Sequence, residues 1–200
     1  MSVEELWKTP VILTGKVVRL EPLDEKHIPS LALAGSDESI WKYMLYASPT
    51  SEESMAAWVR DILGRQQAGT DLPFTVFHIA SGLAAGATRY LEMRPIHRSL
   101  EIGGTWYSPE FQHTPVNTEC KYLMLNYAFE EMGCIRVQFK VDARNERSIQ
   151  AIERLGAVRE GVLRNHYILQ DGSFRDSIYF SILDREWPEI KKRLEQRLKR

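Results

Sequence analysis

The sequence predicts an α/β (α+β) protein: a mixed, mostly antiparallel sheet flanked by helices. Three observations carry this. The chain reads strand, helices, three strands, helix, strand, helix, two strands, an order that a regular doubly wound sheet does not have. Over residues 135–141, Ile135, Val137, Phe139 and Val141 alternate with Arg136, Gln138 and Lys140, the pattern of a strand with one apolar face. Two turns, Ser81-Gly82 and Asp171-Gly172, join runs rich in β-branched and aromatic residues as hairpins.

Each element follows in turn. Residues 17–20 read as a first strand, after a Thr14-Gly15 turn and ended by Pro22. A helix over 24–34 is capped by Asp24, with Ile28, Leu31 and Leu33 on its apolar side. Residues 37–49 are irregular but rich in large side chains. Thr50-Ser51-Glu52-Glu53 has the form of a capping box and opens a helix carrying Met55, Trp58, Val59, Ile62 and Leu63. Strands are expected at 74–80, 87–93 and 101–107. A helix over 115–132 follows, stopped by Gly133. After the alternating strand, a helix over 145–155 turns Ile149, Ile152 and Leu155 inward and closes at Gly156. Strands over 158–166 and 175–183 complete the sheet. Residues 186–200 read as a charged, solvated helix or tail outside a core of about 13–183.

Composition narrows the function. Two hundred residues, 44% of them hydrophobic, suit one domain with a sizeable core. With 26 basic and 27 acidic residues, the chain lacks the charge excess of a nucleic-acid or membrane-surface binder. Cys120 and Cys134 are too few for a disulfide framework or metal cage and read as buried thiols. The histidines show no metal-ligand spacing, so no metal is expected. No Gly-x-Gly-x-x-Gly follows a strand, and no Gly-Lys-Ser/Thr phosphate loop occurs. The acidic start, Met1-Ser2-Val3-Glu4-Glu5-Leu6, is no signal peptide, and no stretch reaches the ~18 apolar residues of a membrane span. A cytoplasmic protein is expected.

The segment Gln112-His113-Thr114-Pro115-Val116-Asn117-Thr118-Glu119 lies where a strand hands over to a helix, a place that offers unpaired N–H groups to a phosphate. Pro115 removes one donor but suits the first helical position after a Thr114 cap. The N–H groups of Val116, Asn117 and Thr118, the Thr114 hydroxyl and the Asn117 amide remain as candidate donors.

Together with Glu101-Ile102-Gly103-Gly104-Thr105-Trp106-Tyr107-Ser108-Pro109, Asn145-Glu146-Arg147-Ser148 and Glu153-Arg154-Leu155-Gly156-Ala157-Val158-Arg159-Glu160-Gly161, this segment resembles the GNAT superfamily, the Gcn5-related N-acetyltransferases. Within it these motifs resemble the branch that includes the ribosomal-protein N-terminal acetyltransferases. The likeness spans about 13–183. The chain departs from the usual Gln/Arg-x-x-Gly-x-Gly/Ala loop. Gln112 matches, but Pro115 and Asn117 replace the small residues, as in a subgroup reading Gln-x-Thr-x-x-Asn-x-Glu.

The resemblance implies a central parallel strand pair that splays apart, and acetyl transfer from acetyl-CoA to a primary amine by direct attack in a ternary complex. The pantetheine arm would lie between residues 102–107 and 135–141, bracketed by Trp106 and Tyr107. Gln112, Thr114, Val116, Asn117, Thr118, Asn145 and Arg147 would serve the cofactor, Asn145 also as a helix cap. Ser148 is the candidate acid for the leaving thiolate, because Ile152 stands where many members carry a tyrosine; Tyr167 is a reserve acid. The base, which must take a proton from the ammonium, is Glu101, with Glu92 and then His97 as alternatives. Trp41, Tyr43, Glu92 and Tyr167 are candidate acceptor-side residues. A protein N-terminus or a small-molecule amine is the expected acceptor, and a homodimer is possible. Alternatives are another acyl-CoA, an amino acid, polyamine or antibiotic acceptor, aminoacyl transfer from tRNA, and a non-catalytic acyl-CoA-binding module.

Overall fold

The computed structural model describes residues 3–169 and 171–199. Eight strands form one sheet: β1 (Leu13–Thr14), β2 (Val18–Pro22), β3 (Leu72–His78), β4 (Ala84–Arg94), β5 (Ser99–Tyr107), β6 (Arg136–Asp142), β7 (Val158–Ile168) and β8 (Phe174–Leu183). Their order is β1-β2-β3-β4-β5-β6-β8-β7. Among the described residues only β5 and β6 run parallel; every other pair is antiparallel. The helices are α1 (Val3–Leu6), α2 (Ile28–Ala34), α3 (Glu52–Gln67), α4 (Pro115–Asn126), α5 (Glu146–Leu155) and α6 (Trp187–Leu198).

Neighbouring strand residues divide between two cores, as side chains alternating across a sheet must. Trp106 joins Trp41, Met55, Trp58 and Ala87 beneath α2 and α3. Tyr107 joins Cys120, Met124, Val137, Phe139, Ile152 and Phe180 on the side of α4 and α5.

Several expectations are corrected. The cap of α3 is Ser51, paired reciprocally with Ser54, rather than Thr50 with Glu53. Leu33 points to solvent at 80% exposure, and Ile135 precedes its strand and is exposed. The helix after Asn126 continues as one π-helical turn, Tyr127–Glu131. The C-terminal segment is no solvated tail. Trp187, Ile190 and Leu194 are buried in the larger core, with Trp187 stacked on Phe129 at 5.5 Å.

Glu119 ties the sheet edge to α4. Its carboxylate accepts the N–H groups of Lys16, Val17 and Val18 at 2.9, 2.6 and 2.7 Å. A Cβ at Gly15 would fall 2.4 Å from that carboxylate, so a larger residue there would displace it.

Candidate functional site

The parallel pairing of β5 with β6 runs only from Ser99↔Arg136 to Glu101↔Gln138. Beyond Glu101 the strands diverge, leaving backbone groups on both without ladder partners. The cause lies in the next pairing. Against β4, Gly104 and Thr105 oppose Thr88 alone, a bulge that bends β5. Gly104 has φ +58°, and a Cβ there would press within 3.1 Å of the Arg89 guanidinium.

The opening is a cavity of about 580 Å³. Residues 102–107 line one side and 139–142 the other. The N-terminal turns of α4 and α5 close one end, and Tyr43, Met44, Leu45 and Tyr46 wall another part. A depression of about 590 Å³ at the α2–α3 seam is shallow and gathers none of the predicted site residues.

Glu101 sits at the fork and is 2% exposed. Gln138 Nε2 donates to its Oε2 at 3.1 Å, and Lys140 Nζ stands 3.6 Å from Oε1. Burial raises the Glu101 pKa above the usual carboxylate value, against the opposing pull of Lys140 and Gln138. Burial lowers that of Lys140, but the Glu101 charge and the Tyr167 hydrogen bond outweigh it, so its net shift is upward. Lys140 Nζ also donates to the Tyr167 hydroxyl at 3.0 Å.

At the α4 end, Thr114 caps the helix. Three expected donors are already in use. The Val116 N–H goes to Thr114 Oγ1 at 3.3 Å, and the Thr114 hydroxyl donates to the Phe111 carbonyl at 2.7 Å. Val116 is buried and off the cavity wall, and the intrahelical ladder begins at Thr118. The Asn117 N–H and side chain therefore remain as the donors facing the cavity.

Gln112 is likewise committed. Its Nε2 donates to the Tyr107 carbonyl at 3.0 Å, and its Oε1 accepts from Arg147. It therefore links β5 to α5. Asn145 caps α5 by accepting the Ser148 N–H at 3.1 Å, and the Ser148 side chain borders the cavity.

The cavity brings together Glu101, Trp106, Tyr107, Gln112, Thr114, Asn117, Thr118, Asn145, Arg147, Ser148, Tyr43 and Tyr167. It does not include Trp41, Glu92 or His97. Trp41 lies behind the wall, 3% exposed and 4.8 Å from the Trp106 ring, because a large apolar ring gains more in the core than at a wet surface. Glu92 is exposed, 3.4 Å from Arg94. Cys120 and Cys134 are buried free thiols. Burial pushes Cys134 up to about 12, so it stays protonated and a poor nucleophile.

Sequence reasoning missed most of the cations. The lining carries Arg65, Arg89, Lys121, Lys140, Arg147, Arg154, Arg175 and Arg197 against the carboxylates Asp61, Glu101 and Asp142. Arg197 comes from α6 and donates to the Arg154 carbonyl at 2.8 Å. Lys121 is buried, with its ammonium on Thr105 Oγ1 (2.6 Å) and Thr88 Oγ1 (3.1 Å), and burial lowers its pKa to about 8. Arg147 was a candidate from the sequence, and Lys140 had a weaker signal in its place on the polar face of the alternating strand. Among the described residues no group of His, Cys, Asp and Glu could hold a metal ion, and no helix is long and apolar enough to cross a membrane.

Comparison with known proteins gives a consistent result. The family described as "Acetyltransferase (GNAT) domain" matches residues 18–158. A solved "putative acetyltransferase" from T. thermophilus is 41% identical, covers 96% of this chain and 99% of its own, and superposes with a TM-score of 0.87. The "Putative ribosomal N-acetyltransferase YdaF" of Bacillus subtilis (strain 168) is 27% identical over 84% of this chain and 90% of its own length. The spermidine N(1)-acetyltransferase of Escherichia coli (strain K12) is 24% identical over 85% and 88%.

Proposed function

The chain belongs to the GNAT acetyltransferase family, and on that premise we propose that it moves acetyl from acetyl-CoA to a primary amine in the cytoplasm. The observation that carries this reading is the fork at Glu101. There a buried carboxylate and a row of unpaired backbone groups open into one cavity whose far end is cationic.

The residues fit the cofactor. Asn117, at the start of α4, offers an N–H and an amide to a pyrophosphate, aided by the helix dipole. Arg147, Arg154 and Arg197 supply the charge that the glycine-free loop cannot. The unpaired edge of β5 from Ile102 to Tyr107 suits an extended, amide-rich arm. When bound, acetyl-CoA supplies an activated thioester.

The protein's part is to bind, orient and move protons. Glu101 takes a proton from the acceptor ammonium, and its raised pKa makes it a better base than an ordinary carboxylate. The freed amine attacks the thioester carbonyl, and the C–S bond breaks. Backbone N–H groups at the bulge stabilise the developing oxyanion. Ser148 gives a proton to the departing thiolate and regains one as the acylated nitrogen sheds its extra proton, producing an N-acetyl amine and the CoA thiol.

The test is a thiol-release assay with acetyl-CoA and a panel of amino acids, amino-acid amides, peptides, polyamines and aminoglycosides. Amine-dependent release is the expected result. Binding of acetyl-CoA without release by any amine would leave a binding module and sink the transferase reading.

A further inference from the structure

Arg175, at the start of β8, is 5% exposed yet faces the cavity beside Tyr43 and Tyr167. Its Nε donates to Ser177 Oγ at 3.2 Å and its Nη1 to the Tyr43 carbonyl at 3.3 Å. Both acceptors are neutral. Among the described residues, no carboxylate lies within ion-pair distance of the guanidinium. The Asp142 charge acts on it from further away, but both Asp142 oxygens are held by Arg144, at 3.0 and 2.7 Å. A buried guanidinium with spare donors and no contacting anion is costly unless a ligand completes it.

Its neighbours set the order of charge. The Arg175 guanidinium lies 5.7 Å from the Tyr167 ring centroid, and Lys140 bonds the Tyr167 hydroxyl and stands beside Glu101. The wall therefore runs from one carboxylate, Glu101, through Lys140 to Arg175. That arrangement complements a molecule with an amine at one end and an anion at the other. A polyamine would instead set further ammonium groups against Lys140 and Arg175.

Building on the acetyltransferase reading, we infer that the acceptor is a free amino carboxylate, its carboxylate held by Arg175 and its amine presented to Glu101. The reaction forms an N–C(acetyl) bond, breaks the thioester C–S bond and yields an N-acetylamino acid, the thiol of CoA taking up one proton.

The experiment measures kcat/KM for each L-amino acid against its C-terminal amide, with spermidine and a peptide as further arms. The wild-type protein should prefer at least one carboxylate over its amide by roughly tenfold or more, since a site built for a polar group rejects the analogue lacking it. Arg175→Gln should collapse that ratio mainly through KM and leave the acetyl-CoA thermal shift intact. Arg175→Lys, which keeps the charge but loses the planar fork, should recover part of it. The wild-type comparison stands even if a variant fails to fold. Equal or better use of the amide, the peptide or spermidine would overturn the inference while keeping the transferase. So would an unchanged ratio in Arg175→Gln, or no turnover of any amino acid. Absence of an acetyl-CoA shift in the wild type would instead sink the transferase reading, and this inference with it.

Discussion

Glu101 stands where strand pairing ends, so its environment follows from the fork itself. A buried carboxylate is disfavoured as an ion, and burial is the largest influence on Glu101. If it is the base, activity rises with pH through its raised pKa. Glu101→Gln should lower kcat by about 10²–10⁴-fold and remove the acidic limb of the kcat profile while acetyl-CoA affinity holds. Lys121 offers a separate pH signature. Its ammonium is buried on two hydroxyls, and its pKa falls from 10.5 to about 8 in the folded state. Between those values the unfolded chain holds the extra proton, so stability rises with pH from about 8 to 10.5, and the full penalty applies below about 8. Lys121→Met should flatten that rise in denaturant midpoints measured across this range. A parallel profile in the two proteins would show that the lysine is not desolvated. Glu101 was singled out from the sequence because it begins its predicted strand and the resemblance pointed to it. Lys121 and Arg175 were not, since a helix lysine and a hairpin arginine normally reach water, and only packing decides otherwise.

At the scale of elements, the N-terminus of α4 exchanges backbone donors for side chains. Pro115 and the Thr114 cap make a well-defined helix start, but they consume the Val116 N–H. Asn117→Ala should therefore weaken acetyl-CoA binding in titration calorimetry with little loss of stability. An unchanged affinity would reduce Asn117 to a helix residue. The last helix, α6, contributes through packing instead. Its sequence is dominated by charge, yet Trp187, Ile190 and Leu194 share one inward face. Trp187→Ala should destabilise the fold by about 3–5 kcal/mol, the range for emptying a buried aromatic site, as read by chemical denaturation. The apolar stripe was present in the sequence. Its meaning depended on α4 and Phe129 being there to receive it.

Among the described residues the molecule is a sheet with one gap, two helical cores on its opposite faces, and cations gathered around the opening. A ligand that fills the gap binds the folded state alone. Saturation at 100-fold above Kd adds about 2.7 kcal/mol, which for a chain of this size raises Tm by roughly 5–10 °C. Acetyl-CoA should produce such a shift. An unmoved Tm at saturating ligand would count against the cofactor assignment.

The sequence by itself determined the order of strands and helices from Val18 to Leu183, though not α1 or the short β1, together with both hairpins, the helix-capping positions Asp24, Thr114 and Asn145, and the motif set that resembles the family. These are local properties, set by periodicity, turn chemistry and unpaired backbone at helix ends. Tertiary structure alone decided that Trp41 stands behind the wall, that Gln112 and Thr114 engage their polar groups within the protein, and that Arg175 is buried facing the cavity. Each of those outcomes depends on which distant groups arrive to share or exclude water, and no local window of sequence contains them.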